Sequence, residues 1–427
     1  MVIIPAGHIS NNSANIYLMS KSLQKIVFVG FGNIFNAVLG FAFISASAKI
    51  LDLESFGKYA LLTTLLVAIS KLIDFGTNSV YVARSISTED KTLNNTFYTL
   101  KIILLTISIP VSLLLLSIFK LNSLHLTLYF ILGLIAYSIN YTLAPIFQKL
   151  EKFTQWVLLN TLPALIKGTF AVLIFTNLIS LNLPQAFGIF SLSLFASAFL
   201  IFFVPKEYKK FKLNFSKIKT ILKEAAPAGL SLLIYEGWPS ISNAIAKIAK
   251  DFSNVGIFAI AEKITSILAL ASVSVFTVLL PKNAYRKKQK ENYDFKEIFM
   301  ISALILLSAF IGIFISKFFI LRFLGDKFSD SIPLLGFLIF ASAFTAIHNF
   351  MEHYFFIEAK TKYIMFLNVG KLALFLILSA ILTPAYSLQG LAIANVIAAL
   401  AALVATTLII SKHQKRRSVL EDNLILN

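Results

Sequence analysis

Long apolar runs alternate with short polar connections along this chain, at a spacing set by membrane thickness. A helix needs about 20 mostly apolar residues to cross a bilayer. Twelve such windows can be placed, near 26–48, 59–83, 102–119, 126–147, 156–176, 185–204, 225–246, 256–280, 298–320, 332–357, 363–383 and 388–411. The pattern predicts an all-α polytopic membrane protein. It divides into a leader at 1–25, a six-helix bundle at 26–204, a basic linker at 205–224, a second six-helix bundle at 225–411 and a tail at 412–427.

Two internal echoes support a division into pseudo-symmetric halves. The polar turn Leu51-Asp52-Leu53-Glu54-Ser55-Phe56-Gly57 enters the second window, and Asp251 to Ala259 repeats its design. Asp251 matches Asp52, Gly256 matches Gly57, Phe258 falls where Tyr59 does, and Ala259 matches Ala60. Further on, Leu183-Pro184-Gln185-Ala186-Phe187-Gly188-Ile189 is echoed by Ser387-Leu388-Gln389-Gly390-Leu391-Ala392-Ile393. Repeats of this kind relate halves by an axis along the membrane normal.

At these residues the chain resembles polysaccharide flippases of the O-antigen (Wzx-like) type, within the multidrug/oligosaccharidyl-lipid/polysaccharide exporter superfamily. The turn from Leu51 to Ala60, the run Val255 to Lys263 with Leu280-Pro281 downstream, and the stretch Leu382 to Asn395 each resemble a family pattern. Ser387 stands where a glycine is usual, and Asp52-Leu53 where Gly-Pro is common. The resemblance implies a MATE-like fold and a substrate in which an oligosaccharide hangs from a polyprenyl pyrophosphate. It also implies residence in the cell inner membrane and partnership with polysaccharide polymerase and chain-length machinery.

Composition agrees with the windows. Charged residues make up 14% of the chain, against about 25% in ordinary proteins, and the mean hydropathy is +0.82. The net charge of +18 raises nucleic acid as a partner, but its distribution argues for topology. With the N-terminus in the cytoplasm, the linker lysines (Lys206, Lys209, Lys210, Lys212, Lys217, Lys219, Lys223) and most other basic residues, Lys101 among them, fall on the cytoplasmic side. That bias places both termini there, with membrane lipids rather than nucleic acid as the contact. The linker reads either as an amphipathic helix on the inner leaflet or as a solvated basic loop. The absence of cysteine excludes disulfides, thiol catalysis and thiolate metal sites.

The charges inside the windows carry the functional reading. They are Lys71, Asp74, Lys167, Glu236, Glu262, Lys263, Glu352 and Lys371, with His348 and His353 beside them. A charge at mid-helix costs about 2.5–3.5 kcal/mol on insertion scales, so eight facing lipid would cost on the order of 20 kcal/mol. That exceeds the ~5–15 kcal/mol stability of a domain, so most face an interior, a partner or water. Glu262, Lys263 and Lys371 lie near window ends, where snorkelling is an alternative.

Lys71 and Asp74, three residues apart, share a helix face and read as an ion pair. Glu236, in Glu236-Gly237-Trp238-Pro239, predicts a bent or unwound helix of the kind that borders transport sites. His348 and Glu352 share a face and read as a proton relay or a hydrogen-bonded packing pair. The spacing of His348, Glu352 and His353 mimics metal ligation without a second carboxylate cluster, so no metal or other cofactor is expected. Signatures of enzymes (a phosphate-binding loop, HExxH, GxSxG) are absent.

The expected function is a secondary transporter moving a lipid-linked oligosaccharide by alternating access. Lys71, Lys167, Lys263 and Lys371 would bind substrate pyrophosphate; Asp74, Glu236, Glu262, His348 and Glu352 would serve coupling or gating. The alternative is a cation-coupled drug exporter of the same superfamily, with the acids dominating the cavity.

Overall fold

A computed structural model describes residues 11–87, 92–266, 295–358 and 360–425. Among them every regular element is helical. The first half comprises α1 (Asn11–Ile50), α2 (Leu53–Asp74), α3 (Thr77–Ser87), α4 (Leu93–Ile118), α5 (Leu124–Lys149), α6 (Phe153–Phe175) and α7 (Leu183–Ser193), which tightens into 3₁₀ turns as far as Phe203. The second comprises α8 (Ile218–Ala249), α9 (residues 252–266), α10 (Phe295–Phe319), α11 (Ile332–Ile357) and α12 (Thr361–Ile425). α12 is two helices joined at Ser387, where φ is 56° and ψ is −138°.

Nine helical stretches among the described residues are long and apolar enough to cross a membrane, and one of them, Lys362–Gln414, contains the break at Ser387. Their outward faces are coated with large apolar side chains such as Phe299, Phe314 and Phe318 on α10, as a lipid solvent requires. The chain is therefore a multi-pass membrane protein. Part of the eighth predicted window, and Leu280-Pro281 with it, lies outside the described residues.

The sequence echoes land on equivalent structural positions. Oδ1 of Asp52 accepts the Ser55 backbone N–H at 2.9 Å, and Oδ1 of Asp251 accepts that of Asn254 at 2.9 Å. Both carboxylates thus satisfy an orphan donor at a helix start. The two matching glycines meet: a Cβ on Gly57 would lie 1.7 Å from the Phe252 carbonyl oxygen, and one on Gly256 would lie 2.7 Å from that of Leu53. Only glycine allows backbones to approach this closely. The second echo marks the starts of the last helices of the two halves. Asn182 and Gln185 form a reciprocal capping box at α7, and Ser387 opens the second arm of α12.

The halves close against each other along α2 and α8. At the Asp52 end, Lys327 donates to the carbonyls of Lys49 (3.0 Å) and Leu51 (2.6 Å), and Phe56 meets Phe328 edge-on. At the opposite end, Gly76 and Gly229 form another close crossing. There Arg84 grips Glu224 with two hydrogen bonds, of 2.9 and 2.5 Å.

Three stretches singled out in the sequence take definite form. From Asn11 onward the predicted leader is helix, continuous with the first span. The linker is not a long helix: after a single turn at Lys206–Tyr208, residues 210–215 carry no regular structure, and a turn at residues 216–217, with Lys217 at a φ of 61°, leads into α8 at Ile218. α8 passes through Glu236-Gly237-Trp238-Pro239 without unwinding. Pro239 forfeits only its own hydrogen bond, leaving the Tyr235 carbonyl free, and the neighbouring Trp238 packs against Phe375 of α12.

Candidate functional site

Between the halves lies a cavity of about 680 Å³, within the usual ~300–1,000 Å³ of ligand sites. α1 supplies one wall, with Ile34, Val38 and Phe41. The second half supplies the others: Tyr235, Glu236, Trp238 and Pro239 from α8, Glu262 and Lys263 from α9, Ser342 and Thr345 from α11, and Asn368, Lys371 and Asn395 from α12. The wall from α1 is apolar and the opposite walls are charged. An amphipathic molecule with an ionic head fits that asymmetry.

Four of the nine candidate residues line this cavity: Glu236, Glu262, Lys263 and Lys371. Snorkelling is therefore not what Glu262, Lys263 and Lys371 do. Lys371 is 8% exposed; it donates to Thr345 at 2.9 Å and sits 4.7 Å from the centre of the Trp238 ring, a cation–π contact. The Glu262 oxygen Oε2 is buried without a hydrogen-bond partner among the described residues. Lys263 has no carboxylate within ion-pair distance among the described residues. Its charge reaches Lys167, which lies outside the cavity wall with its ammonium 5.0 Å from the Phe190 ring centre.

Lys71 and Asp74 do not pair with each other. Lys71 reaches across to Glu236 of the other half, at 3.4 Å, and packs against the Tyr141 ring. Asp74 turns toward Lys101, at 3.5 Å. Residues three apart on a helix share a face, but partners on neighbouring helices can approach as well and here they win. Lys101 is only 2% exposed, bonded to the Ile73 carbonyl (3.1 Å) and Thr77 Oγ1 (2.9 Å). It is a buried structural cation and not the surface topology charge expected of it. Its position in Leu93–Ile118, well inside a stretch long enough to span, was the signal.

His348 and Glu352 do meet. Nε2 of His348 lies 3.2 Å from Oε1 of Glu352, though not aligned as a hydrogen bond. Asn368, from the cavity wall, donates to the same oxygen at 3.1 Å. Thr406 Oγ1 donates its proton to the Ala402 carbonyl, so its 2.9 Å bond with His348 Nδ1 requires Nδ1 to be the donor. Nε2 then carries a proton only in the doubly protonated ring, where it forms an ion pair with Glu352. Asn368 is the functional neighbour that periodicity missed, because nothing in its own helix marks it.

A family described as polysaccharide biosynthesis protein matches residues 22–285 of the chain. No curated protein sequence matches it. Among solved structures, the lipid II flippase MurJ in an inward closed conformation is similar with a TM-score of 0.72 and 15% identity, covering 90% of this chain and 87% of that one. A multidrug resistance MATE family transporter of the MOP superfamily, inward-facing, gives 0.65 and 16%, covering 89% and 96%. The Vibrio cholerae MATE transporter VcmN gives 0.55 and 12%, covering 94% and 98%. At these identities the likeness concerns the fold, a MATE/MurJ-like arrangement, in line with the MATE-like fold that the family resemblance implies.

Proposed function

Since the chain belongs to the polysaccharide biosynthesis protein family, we propose that it is a flippase. It carries an oligosaccharide linked to a polyprenyl pyrophosphate, such as an O-antigen repeat unit, across the cytoplasmic membrane by alternating access. The observation that carries this reading is the cavity of about 680 Å³: apolar on the α1 side, with Lys263 and Lys371 beside Glu236 and Glu262 on the charged walls. Lys263 is the anion-binding residue of the cavity wall and Lys167, behind that wall, adds its positive charge; neither is held by a carboxylate among the described residues. A pyrophosphate, partly desolvated there, gains charge-assisted hydrogen bonds that water would otherwise supply. Lys371 is a second-rank ligand that must first release Thr345.

Lys71 and Glu236 act as a gate rather than as a binding site, because their contact joins the halves. An anion beside Lys71 competes with Glu236 and loosens the seam. With both termini in the cytoplasm, the Asp52 end faces outward and the Arg84–Glu224 end faces inward. Moving about two negative charges outward gains roughly 4–5 kcal/mol per 100 mV of inside-negative potential. A proton taken up at Nε2 of His348 and passed to Glu352, beside the cavity residue Asn368, is the coupling ion. No covalent chemistry is required of the protein.

The unpartnered Glu262 carboxylate oxygen favours one second reading, export of a cationic amphipathic drug. Proteoliposomes separate the two. Lys263→Ala and Lys167→Ala lower lipid-linked oligosaccharide transfer at least about tenfold, the loss of a 1.4 kcal/mol contact. Full transfer in both overturns the pyrophosphate assignment. Drug resistance lost in Glu262→Gln, with no oligosaccharide transfer by the parent, installs the second reading.

A further inference from the structure

The linker that joins the halves contributes no residue to the cavity wall. It is nonetheless held in one shape. Tyr98 donates its hydroxyl to the Tyr208 carbonyl at 2.7 Å. The backbone N–H of Lys212 donates to Asn95 Oδ1 at 3.1 Å, and that of Asn214 to Thr99 Oγ1 at 2.9 Å. These bonds pin the segment to the first turns of α4. Tyr208 is buried in a cluster with Tyr81, Phe97, Phe147 and Ile221, so the anchor is a packed core.

Phe211, Leu213 and Phe215 recur at every second position of this segment, and they are 46%, 62% and 65% exposed. They follow the spanning stretch Leu183–Phe203 in the chain and lie beside the first turns of α4, where Asn214 meets Thr99. Lys209 and Lys210 precede them and Lys212 stands between Phe211 and Leu213, all three exposed, and no acidic residue occurs between Tyr208 and Lys223. Lys149, over the Tyr208 ring, and Lys152, bonded to the Phe203 carbonyl, add positive charge from the adjoining helices. The nearest downstream acid, Glu224, is held by Arg84.

We propose that this strap is a lipid-binding surface selective for anionic phospholipids. Phe211, Leu213 and Phe215 insert at the boundary between head groups and acyl chains. Lys209, Lys210 and Lys212 hold the phosphates of the surrounding leaflet. Charge complementarity selects the partner, because a cytoplasmic leaflet rich in anionic lipid attracts basic segments at its surface. Pinning the backbone in advance lowers the ordering cost of that contact. The linker thereby anchors the junction of the two moving halves at a fixed depth. The surface is independent of what the cavity carries.

The test uses the full chain in lipid nanodiscs, with Leu213→Trp as reporter and Phe215→Trp as a second reporter read separately. Quenching is measured with brominated phosphatidylglycerol or brominated phosphatidylcholine as a minor component among unlabelled lipids. Each variant is compared with a protein lacking the added tryptophan, to remove the signal of Trp156 and Trp238. The expected result is local enrichment of phosphatidylglycerol over phosphatidylcholine by about tenfold. Replacing Lys209, Lys210 and Lys212 together by glutamine abolishes that preference while unfolding in phosphatidylcholine is unchanged. Equal quenching by the two lipids overturns the selectivity. No quenching by either places the strap in water and leaves it to a different occupant, such as an acidic protein segment; that also overturns the proposal.

Discussion

Replacing Gly57 by alanine places a methyl carbon 1.7 Å from the carbonyl oxygen of Phe252 and 2.7 Å from its carbonyl carbon. Neither neighbour is the flexible end of a side chain. To restore ordinary contact at about 3.5 Å, α2 and α9 must part by roughly 1.5–2 Å. Overpacking of this order costs about 1–3 kcal/mol. In an alternating-access cycle the cost falls on states closed at the Asp52 end, so the open population rises about 5- to 150-fold. The chain has no cysteine, which makes Val255→Cys a clean reporter at a position with 0% exposure. Its labelling by a membrane-impermeant maleimide, applied from the Asp52 side, should accelerate at least about fivefold in the Gly57→Ala background. Gly256→Ala, whose Cβ would lie 2.7 Å from the Leu53 oxygen, should act in the same direction more weakly. Unchanged labelling in both variants would refute the claim that this crossing seals one end of the seam.

Ser387 holds a backbone conformation that costs a non-glycine residue about 1–3 kcal/mol, so Ser387→Gly should raise the thermal midpoint measured in detergent. Gly390→Ala should lower it, because its Cβ would meet the Leu382 carbonyl oxygen at 2.0 Å. Asp52→Ala and Asp251→Ala should each cost about 0.5–2 kcal/mol as lost helix caps. Backbone N–H groups of Ser55 and Asn254 hold the two carboxyls below the usual aspartate value of 3.8. Their contribution is therefore complete above that value and disappears as pH falls through the lowered one; unfolding followed from pH 6 to 2 should steepen below about 4 in the parent and not in Asp52→Asn/Asp251→Asn. Lys101→Met should destabilise by about 3–5 kcal/mol, since it strands Asp74 in the interior, and Lys101→Met/Asp74→Leu should recover much of the loss in denaturation midpoints.

The elements most legible in the sequence were those governed by local chemistry. The apolar windows located the spanning helices, and the Asp52 and Asp251 turns announced two equivalent caps. Ser387 was visible as an odd residue in a glycine position, and the structure gives the reason in its positive φ. What the sequence concealed was pairing between helices. Lys71 and Asp74 satisfied the spacing of an intrahelical pair, yet each found a better partner on a neighbouring helix, Glu236 and Lys101. Spacing along one helix says nothing of what an adjacent helix presents. At Pro239, where local sequence marked a bend or an unwound turn, α8 stays helical, with Trp238 packed on Phe375 of α12 beside it. Asn368 carries no signal in its own sequence and gains meaning only from the Glu352 carboxylate opposite.

The claim on which the transport reading rests is that Lys263 borders an aqueous cavity open to one side of the membrane at a time. Side-specific thiol labelling of Lys263→Cys in sealed vesicles tests it most directly, with and without a polyprenyl pyrophosphate glycan. The prediction is labelling from either side when each is probed in turn, suppressed by the glycan lipid and not by an uncharged polyprenol. A cysteine that reacts from neither side, or one that the pyrophosphate lipid fails to protect, would contradict it.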